Sequence, residues 1–142
     1  MDTLIQSEHV SITDSADIVR ARSTVRTMAA QIGFGLADQT RLATAVSELT
    51  RNVIQYAGSG SCLITDISTE AEMRARVVVV DHGRGIPDLE LAMKDGYSTG
   101  GSLGAGLPGT RRLMDSFSIE SAPGRTCVTI AIARPRLHQE HK

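Results

Sequence analysis

The chain has 142 residues, 41% hydrophobic and 22% charged, which suits one ordinary globular domain and excludes a low-complexity or disordered protein. Fifteen Lys and Arg face sixteen Asp and Glu, a formal charge of −1, which argues against nucleic acid as the main partner because phosphate-backbone binding draws on a basic excess. No run approaches the ~18 apolar residues of a membrane span, and the opening MDTLIQSEHV lacks a secretory pattern, so the expectation is a cytoplasmic protein without a membrane partner.

In chain order, residues 4–12 (LIQSEHVSI) set Leu4, Val10 and Ile12 among polar neighbours and read as an edge strand. Asp14 or Ser15 caps a predicted helix running to about Gln31, and Gly33 and Gly35 break it. Leu36 to Ala57 form a longer helix, in which Leu42, Val46, Leu49 and Val53 recur at i, i+4, i+7 and i+11. Gly58 and Gly60 stop it. Residues 62–68 and 75–81 form a predicted antiparallel pair, and the valine run 77–80 suggests a strand covered on both faces. The stretch 83–106 is dense in glycine, with a short helix expected around Leu89 to Lys94. A helix from about Gly106 to Ser116 follows, then a hairpin of 117–122 and 126–133 across Pro123, Gly124 and Arg125.

Helices come early and strands dominate the second half. The order β-α-α-β-β-loop-α-β-β predicts an α+β fold, a two-layer sandwich with a mixed sheet and helices on one face. Residues 1–134 make one domain, and the charged, aperiodic 135–142 are expected to be a disordered tail. Cys62 and Cys127 lie in apolar strand-like runs and read as buried thiols. His9, His82, His138 and His141 share no metal-ligand spacing.

Three segments carry possible chemistry. On the long helix, the i, i+4 spacing stacks the Glu48 carboxylate over the Asn52 amide, beside the apolar stripe and so at the edge of the buried face. An amide oxygen suits Mg²⁺, and a neighbouring carboxylate can take a proton; on its own the pair also fits a solvated helix face. In Val80-Asp81-His82-Gly83-Arg84-Gly85, a strand ends in an acid followed by Gly-x-Gly. Such an acid needs a donor, which the exocyclic amine of adenine supplies and guanine, with a carbonyl there, does not. It could equally cap a tight turn. The loop from Gly100 to Gly109 leads into a helix, where bare amides and the helix dipole favour an anion, although a flexible connector would look the same.

The order Glu-x3-Asn, Asp-x-Gly-x-Gly, Gly-x-Gly-Leu opening a helix, and Gly-x-Thr in a hairpin resembles the boxes of the GHKL ATPase superfamily. Here those boxes are Glu48/Asn52, Asp81/Gly83/Gly85, Gly104/Gly106/Leu107 and Gly124/Thr126, and the likeness covers essentially the whole chain. The stretch SLGAGLPGTRRLMDSFSIES looks most like the RsbT-type serine/threonine switch kinases of the bacterial stressosome. The resemblance implies the Bergerat (HATPase-like) sandwich, with ATP between the helices and a lid formed by 83–106. It also implies that Asp81 binds the adenine amine, assisted through water by Thr126, with Gly83 and Gly85 in the nucleotide site. Asn52 would hold Mg²⁺, Glu48 would be the catalytic base, and the amides of Gly104, Ala105, Gly106 and Leu107 would hold phosphates.

The activity so implied is that of a protein serine/threonine kinase, an ATP-dependent phosphotransferase acting in stress-response control of a sigma factor. Its substrates and scaffold would be STAS-domain proteins similar to RsbS and RsbR, and a PP2C-type phosphatase similar to RsbU would lie downstream. One departure is Ser102, where some related kinases carry an arginine at the start of the glycine loop; Lys94, Arg111 or Arg112 could supply the charge. The alternative is a nucleotide-loaded binding module that sequesters a partner, in the manner of an anti-sigma factor, with little turnover.

Overall fold

A computed structural model of the chain describes residues 6–83, 85, 93 and 106–136. The first strand, β1 (Ser7–Ile12), turns Val10 and Ile12 into the core. Helix α1 (Ser15–Ile32) starts at Asp14, whose side chain caps the Asp17 N–H while the Asp17 carboxylate reaches back in a capping box. The Thr13 N–H and hydroxyl both donate to Asp17 Oδ2 at 2.9 Å, and Arg20 pairs with Oδ1. The Thr13 backbone bond above all, then its hydroxyl, hold the Asp17 carboxyl below its ordinary range. Its contribution to stability is therefore in place above the unfolded aspartate value of about 3.9 and is lost as the pH falls through the lower folded value. Gly33, at φ 118°, closes the helix by donating to the carbonyls of Ala29 and Ala30.

Helix α2 (Leu36–Tyr56) buries the stripe predicted for it, Leu42, Val46, Leu49 and Val53. The Ser47 and Thr50 hydroxyls, buried beside that stripe, donate to the carbonyls of Ala43 and Val46 at 2.8 and 2.7 Å, so no polar atom is stranded there. The remaining elements are β2 (Gly60–Asp66), β3 (Glu72–Asp81), α3 (Gly106–Leu113), β4 (Ser116–Ala122) and β5 (Arg125–Pro135). The five strands form one sheet in the order β1-β2-β3-β5-β4. Three described helices and the sheet make the expected two-layer α+β sandwich, with Ile12, Ile64, Val77, Ile130 and Ile132 facing the helices.

The sheet is antiparallel in every described pairing, which corrects the expectation of a mixed one. The reason is the helical hairpin. α1 carries the chain away from the end of β1 and α2 brings it back, so Gly60 enters the sheet opposite Ile12 and β2 must run the other way. Likewise Thr126, at the start of β5, pairs with Asp81 at the end of β3. The valine run is also corrected: Val77 and Val79 enter the core, but Val78 and Val80 lie half-buried on the opposite face. No described helix layer covers that face; cross-strand neighbours such as Leu63 and Thr129 shade Val78, as suits a β-branched residue in a central strand.

Element ends shifted where tertiary contacts decide them. Gly60, a helix stop by its sequence context, is the first residue of β2. α3 ends before the predicted Ser116, because the Asp115 N–H bonds Ala131 and Ser116 opens β4. β5 runs past the expected domain limit at 134: Pro135 pairs with Glu72, and the Arg136 N–H donates to Ala71. Arg134 clamps this end, with Nε and Nη2 on the Asp38 carboxylate at 3.0 and 2.9 Å and Nη1 on Asp115 at 2.7 Å. The expected helix near residues 89–94 and the tail 137–142 fall outside the described residues, save Met93, which packs on the core. No described helix is long and apolar enough to cross a membrane.

Cys62 points into the core and Cys127 to the opposite face, half-buried rather than buried. They sit on strands separated by β3 and on different sides of the sheet, so they are free thiols. Burial pushes the Cys62 thiol up to about 12. A thiol reagent at pH 8 should accordingly label Cys127 alone in the native protein and both cysteines in guanidinium; native labelling of Cys62 at the rate of Cys127 would contradict this burial.

Candidate functional site

The edge of α2 carries the first part of the site. Glu48 lies next to the core residue Leu49 and is 6% exposed, which rules out a solvated helix face. Its Oε1 accepts a hydrogen bond from Arg51 Nη1 at 3.0 Å. Asn52, one turn further on, is half-buried, so its amide lies where the buried face meets the surface.

The second part is the end of β3. Asp81 sits between Gly60 on β2 and Thr126 on β5. Its Oδ1 accepts the Gly83 N–H at 3.0 Å, so the turn-capping reading of this residue is realised. The cap occupies one oxygen only: among the described residues Oδ2 has no hydrogen-bond partner, and Asp81 is half-buried. Thr126 is buried, with Oγ1 2.7 Å from the hydroxyl of Ser121, its cross-strand neighbour on β4.

Glycines bring these parts together. A Cβ on Gly83 would stand 2.6 Å from the Ala57 Cβ, so the turn after β3 packs directly on the end of α2. A Cβ on Gly60 would meet the Val80 carbonyl oxygen at 2.4 Å and Val53 at 2.9 Å. The Gly124 N–H donates to the Gly83 carbonyl at 2.8 Å, which ties the same turn to the β4–β5 hairpin. Gly85 has φ +86°, and a Cβ there would stand 2.6 Å from the Ala122 carbonyl oxygen.

The third part is the start of α3, which packs on α2. Gly106 opens it at φ 68°, and Thr110 Oγ1 donates to the Gly106 carbonyl at 3.1 Å. The Leu107 side chain is buried in the core, so any anion contact by this residue falls to its backbone amide. Gly104, Ala105, Lys94 and Ser102 lie outside the described residues. Arg111 and Arg112 are exposed in the last turn of α3.

Two residues escaped the sequence reading. Arg51 has the i, i+3 spacing of a helical ion pair with Glu48, a signal that was present but common. Ser121 could be found only once the hairpin register set it opposite Thr126.

The donor set fits a metal bound mainly through a phosphorylated ligand. No group of three or more His, Cys, Asp or Glu among the described residues could hold a metal by itself. One amide oxygen, from Asn52, with waters and phosphate oxygens is the kind of shell Mg²⁺ accepts. The Asp81 oxygen without a described partner likewise fits a ligand that offers a hydrogen-bond donor.

Comparison with known proteins agrees with this arrangement. The sequence pattern of the histidine kinase-like ATPase domain matches residues 12–132. The chain is 47% identical over 115 residues to the serine/threonine-protein kinase RsbT of Bacillus subtilis, covering 81% of this chain and 86% of that one. It is 31% identical over 109 residues to an anti-sigma F factor of Caldanaerobacter subterraneus, covering 74% and 76%. Among solved structures, the RsbU and RsbW domains of a Mycobacterium tuberculosis protein superpose with a TM-score of 0.60 at 21% identity, covering 94% of this chain and 33% of that longer one. The mycobacterial sensor histidine kinase MprB gives 0.53 at 22% identity, covering 92% and 100%. At these identities the structures speak for the fold alone.

Glycine replacement separates close packing from turn geometry. Gly124 also has positive φ, 97°, but nothing lies within 4 Å of the position its Cβ would take. Gly124→Ala should therefore cost about 1–2 kcal/mol, the left-handed penalty alone. Gly85→Ala should cost more, because a backbone carbonyl must also move; equal losses of the two variants in urea unfolding would contradict that close approach.

Proposed function

This chain belongs to the histidine kinase-like ATPase family, and on that footing we propose that it is a serine/threonine protein kinase that moves the γ-phosphate of Mg-ATP to a STAS-domain partner. The observation that carries the reading is the buried Glu48 carboxylate, one helical turn from Asn52 on the helix that meets the end of β3. The 47% identity to a protein named serine/threonine-protein kinase RsbT supports it.

In this reading Asp81 accepts the adenine amine through Oδ2 while Oδ1 stays on the Gly83 N–H, so the turn fixes the orientation of the acid. The Thr126 hydroxyl, held by Ser121, completes the base site through a water. Gly83 and Gly85 belong to the nucleotide site by shaping the turn beside Asp81, packed on Ala57 and on Ala122. The amides of Gly104, Ala105, Gly106 and Leu107 hold phosphate oxygens, the last two from the start of α3. Asn52 is the protein's ligand to the metal, and Mg²⁺, when bound, neutralises charge on the triphosphate. Glu48 accepts the proton of the partner's hydroxyl as its oxygen bonds to the γ-phosphorus and the bond to ADP breaks. The lid that the resemblance implies, 83–106, lies outside the described residues except for Gly83, Gly85, Met93 and Gly106.

The partners proposed are STAS-domain proteins similar to RsbS and RsbR, with a PP2C-type phosphatase similar to RsbU downstream, all in the cytoplasm as parts of a stress-response switch. A second reading draws on the relatives named anti-sigma F factor: a nucleotide-dependent module that sequesters its partner with little turnover.

The protein incubated with γ-labelled ATP, Mg²⁺ and a STAS-domain protein separates the two. Label on a partner serine or threonine supports the kinase; an ATP-dependent complex without label supports the module. Glu48→Ala should keep ATP affinity and lose transfer by about 10²–10⁴-fold, and near-normal transfer would remove Glu48 from the chemistry. Asp81→Asn should weaken ATP by about 100-fold in calorimetry, because an amide offers mixed polarity to the amine; unchanged affinity would refute that role.

A further inference from the structure

Arg51 donates to the proposed base, and its own task is not accounted for by stability. Its side chain is 46% exposed, whereas the Glu48 side chain is 7% exposed. An i, i+3 pair with one partner so open to water contributes little to folding, because solvent screens it and ordering the arginine offsets the gain. Among the described residues Arg51 has no hydrogen-bond partner other than Glu48, although a guanidinium offers five donors. The neighbouring basic residue on this helix, Arg41, pairs with Asp38 instead, at the far end.

A general base acts only when its oxygen stands within hydrogen-bond reach of the proton it takes. A glutamate has three side-chain torsions, and a carboxylate at the rim of a core can swing among rotamers. The bond from Arg51 Nη1 to Glu48 Oε1 at 3.0 Å restrains that freedom on the same helix turn that carries Asn52. A carboxylate with one oxygen so held retains lone pairs for a proton. We propose that Arg51 is a positioning residue for phosphoryl transfer, which aims the Glu48 carboxylate at the acceptor hydroxyl without itself touching nucleotide. This rests on the kinase reading above. The contact is a single N–H to oxygen bond rather than a two-pronged clamp, so a lysine ammonium is able to replace it in part.

The test is single-turnover transfer from γ-labelled Mg-ATP to the STAS-domain acceptor, with ATP affinity measured by calorimetry. Arg51→Ala should slow transfer by about 10-fold, the scale of a modest misplacement of a reacting group. ATP affinity and the acceptor KM should stay within about twofold. Arg51→Lys should recover most of the rate. In a Glu48→Ala background, Arg51→Ala should cause no further loss, since a residue acting through another shows non-additive effects. A rate for Arg51→Ala equal to or above the wild type would overturn the inference, as would additive losses in the double variant or a main effect on ATP affinity. If the unaltered protein transfers no label, the kinase reading itself falls and Arg51's role falls with it; if Glu48→Ala transfers as fast as the unaltered protein, Glu48 is not the base and this inference falls while the kinase reading stands. A slow Glu48→Ala beside a fast Arg51→Ala removes this inference alone.

Discussion

Where α2 ends against β3, glycines let the strand ends pack directly on Val53 and Ala57, and the site depends on that approach. Gly60 and Gly83 permit it, since a Cβ at either position would lie under 3 Å from Val80, Val53 or Ala57 atoms. Moving the helix end outward to admit a methyl group would separate Asn52 from Asp81, and so the proposed metal ligand from the proposed base reader. The same turn is stitched to the β4–β5 hairpin by the Gly124 to Gly83 bond, which sets Thr126 beside Asp81. Helix, central strand and hairpin are thus registered against one another at the place where a ligand would sit.

This arrangement explains why polar groups tolerate burial here. Glu48 is compensated by Arg51, Thr126 by Ser121, and Thr50 and Ser47 by carbonyls of their own helix. No buried side-chain nitrogen or oxygen among the described residues lacks a partner. The opposite end of the sandwich is fixed by charge: Arg134 joins Asp38 on α2 to Asp115 after α3, so the helices are anchored away from the site. A rigid far end with a glycine-lined near end is a sensible design for a protein that must admit and release nucleotide.

Local chemistry made much of this legible in the sequence. The α2 stripe, the capping acid before α1 and the Pro-Gly hairpin each state their element through periodicity or turn residues, and the ordered boxes name the family. Long-range register was not legible. Gly60 looked like a helix stop because its reason, a carbonyl across the sheet, lies 20 residues away in β3; the valine run looked doubly covered because cross-strand shading and a second layer favour the same residues. The mixed-sheet expectation failed because strand direction follows from how the helical hairpin returns the chain. Ser121 was invisible for the same reason, since its partner Thr126 is set by the hairpin register, whereas the i, i+3 spacing of Arg51 and Glu48 was legible but too common to single out.

Calorimetric titration of the Mg²⁺-loaded protein with ATP and, separately, with GTP tests the central claim most directly. If the strand-end carboxylate reads the purine, ATP binds and GTP, which turns a carbonyl oxygen toward Asp81, binds about 100-fold more weakly or not at all. Equal affinity for the two nucleotides, or none for either, would contradict the account.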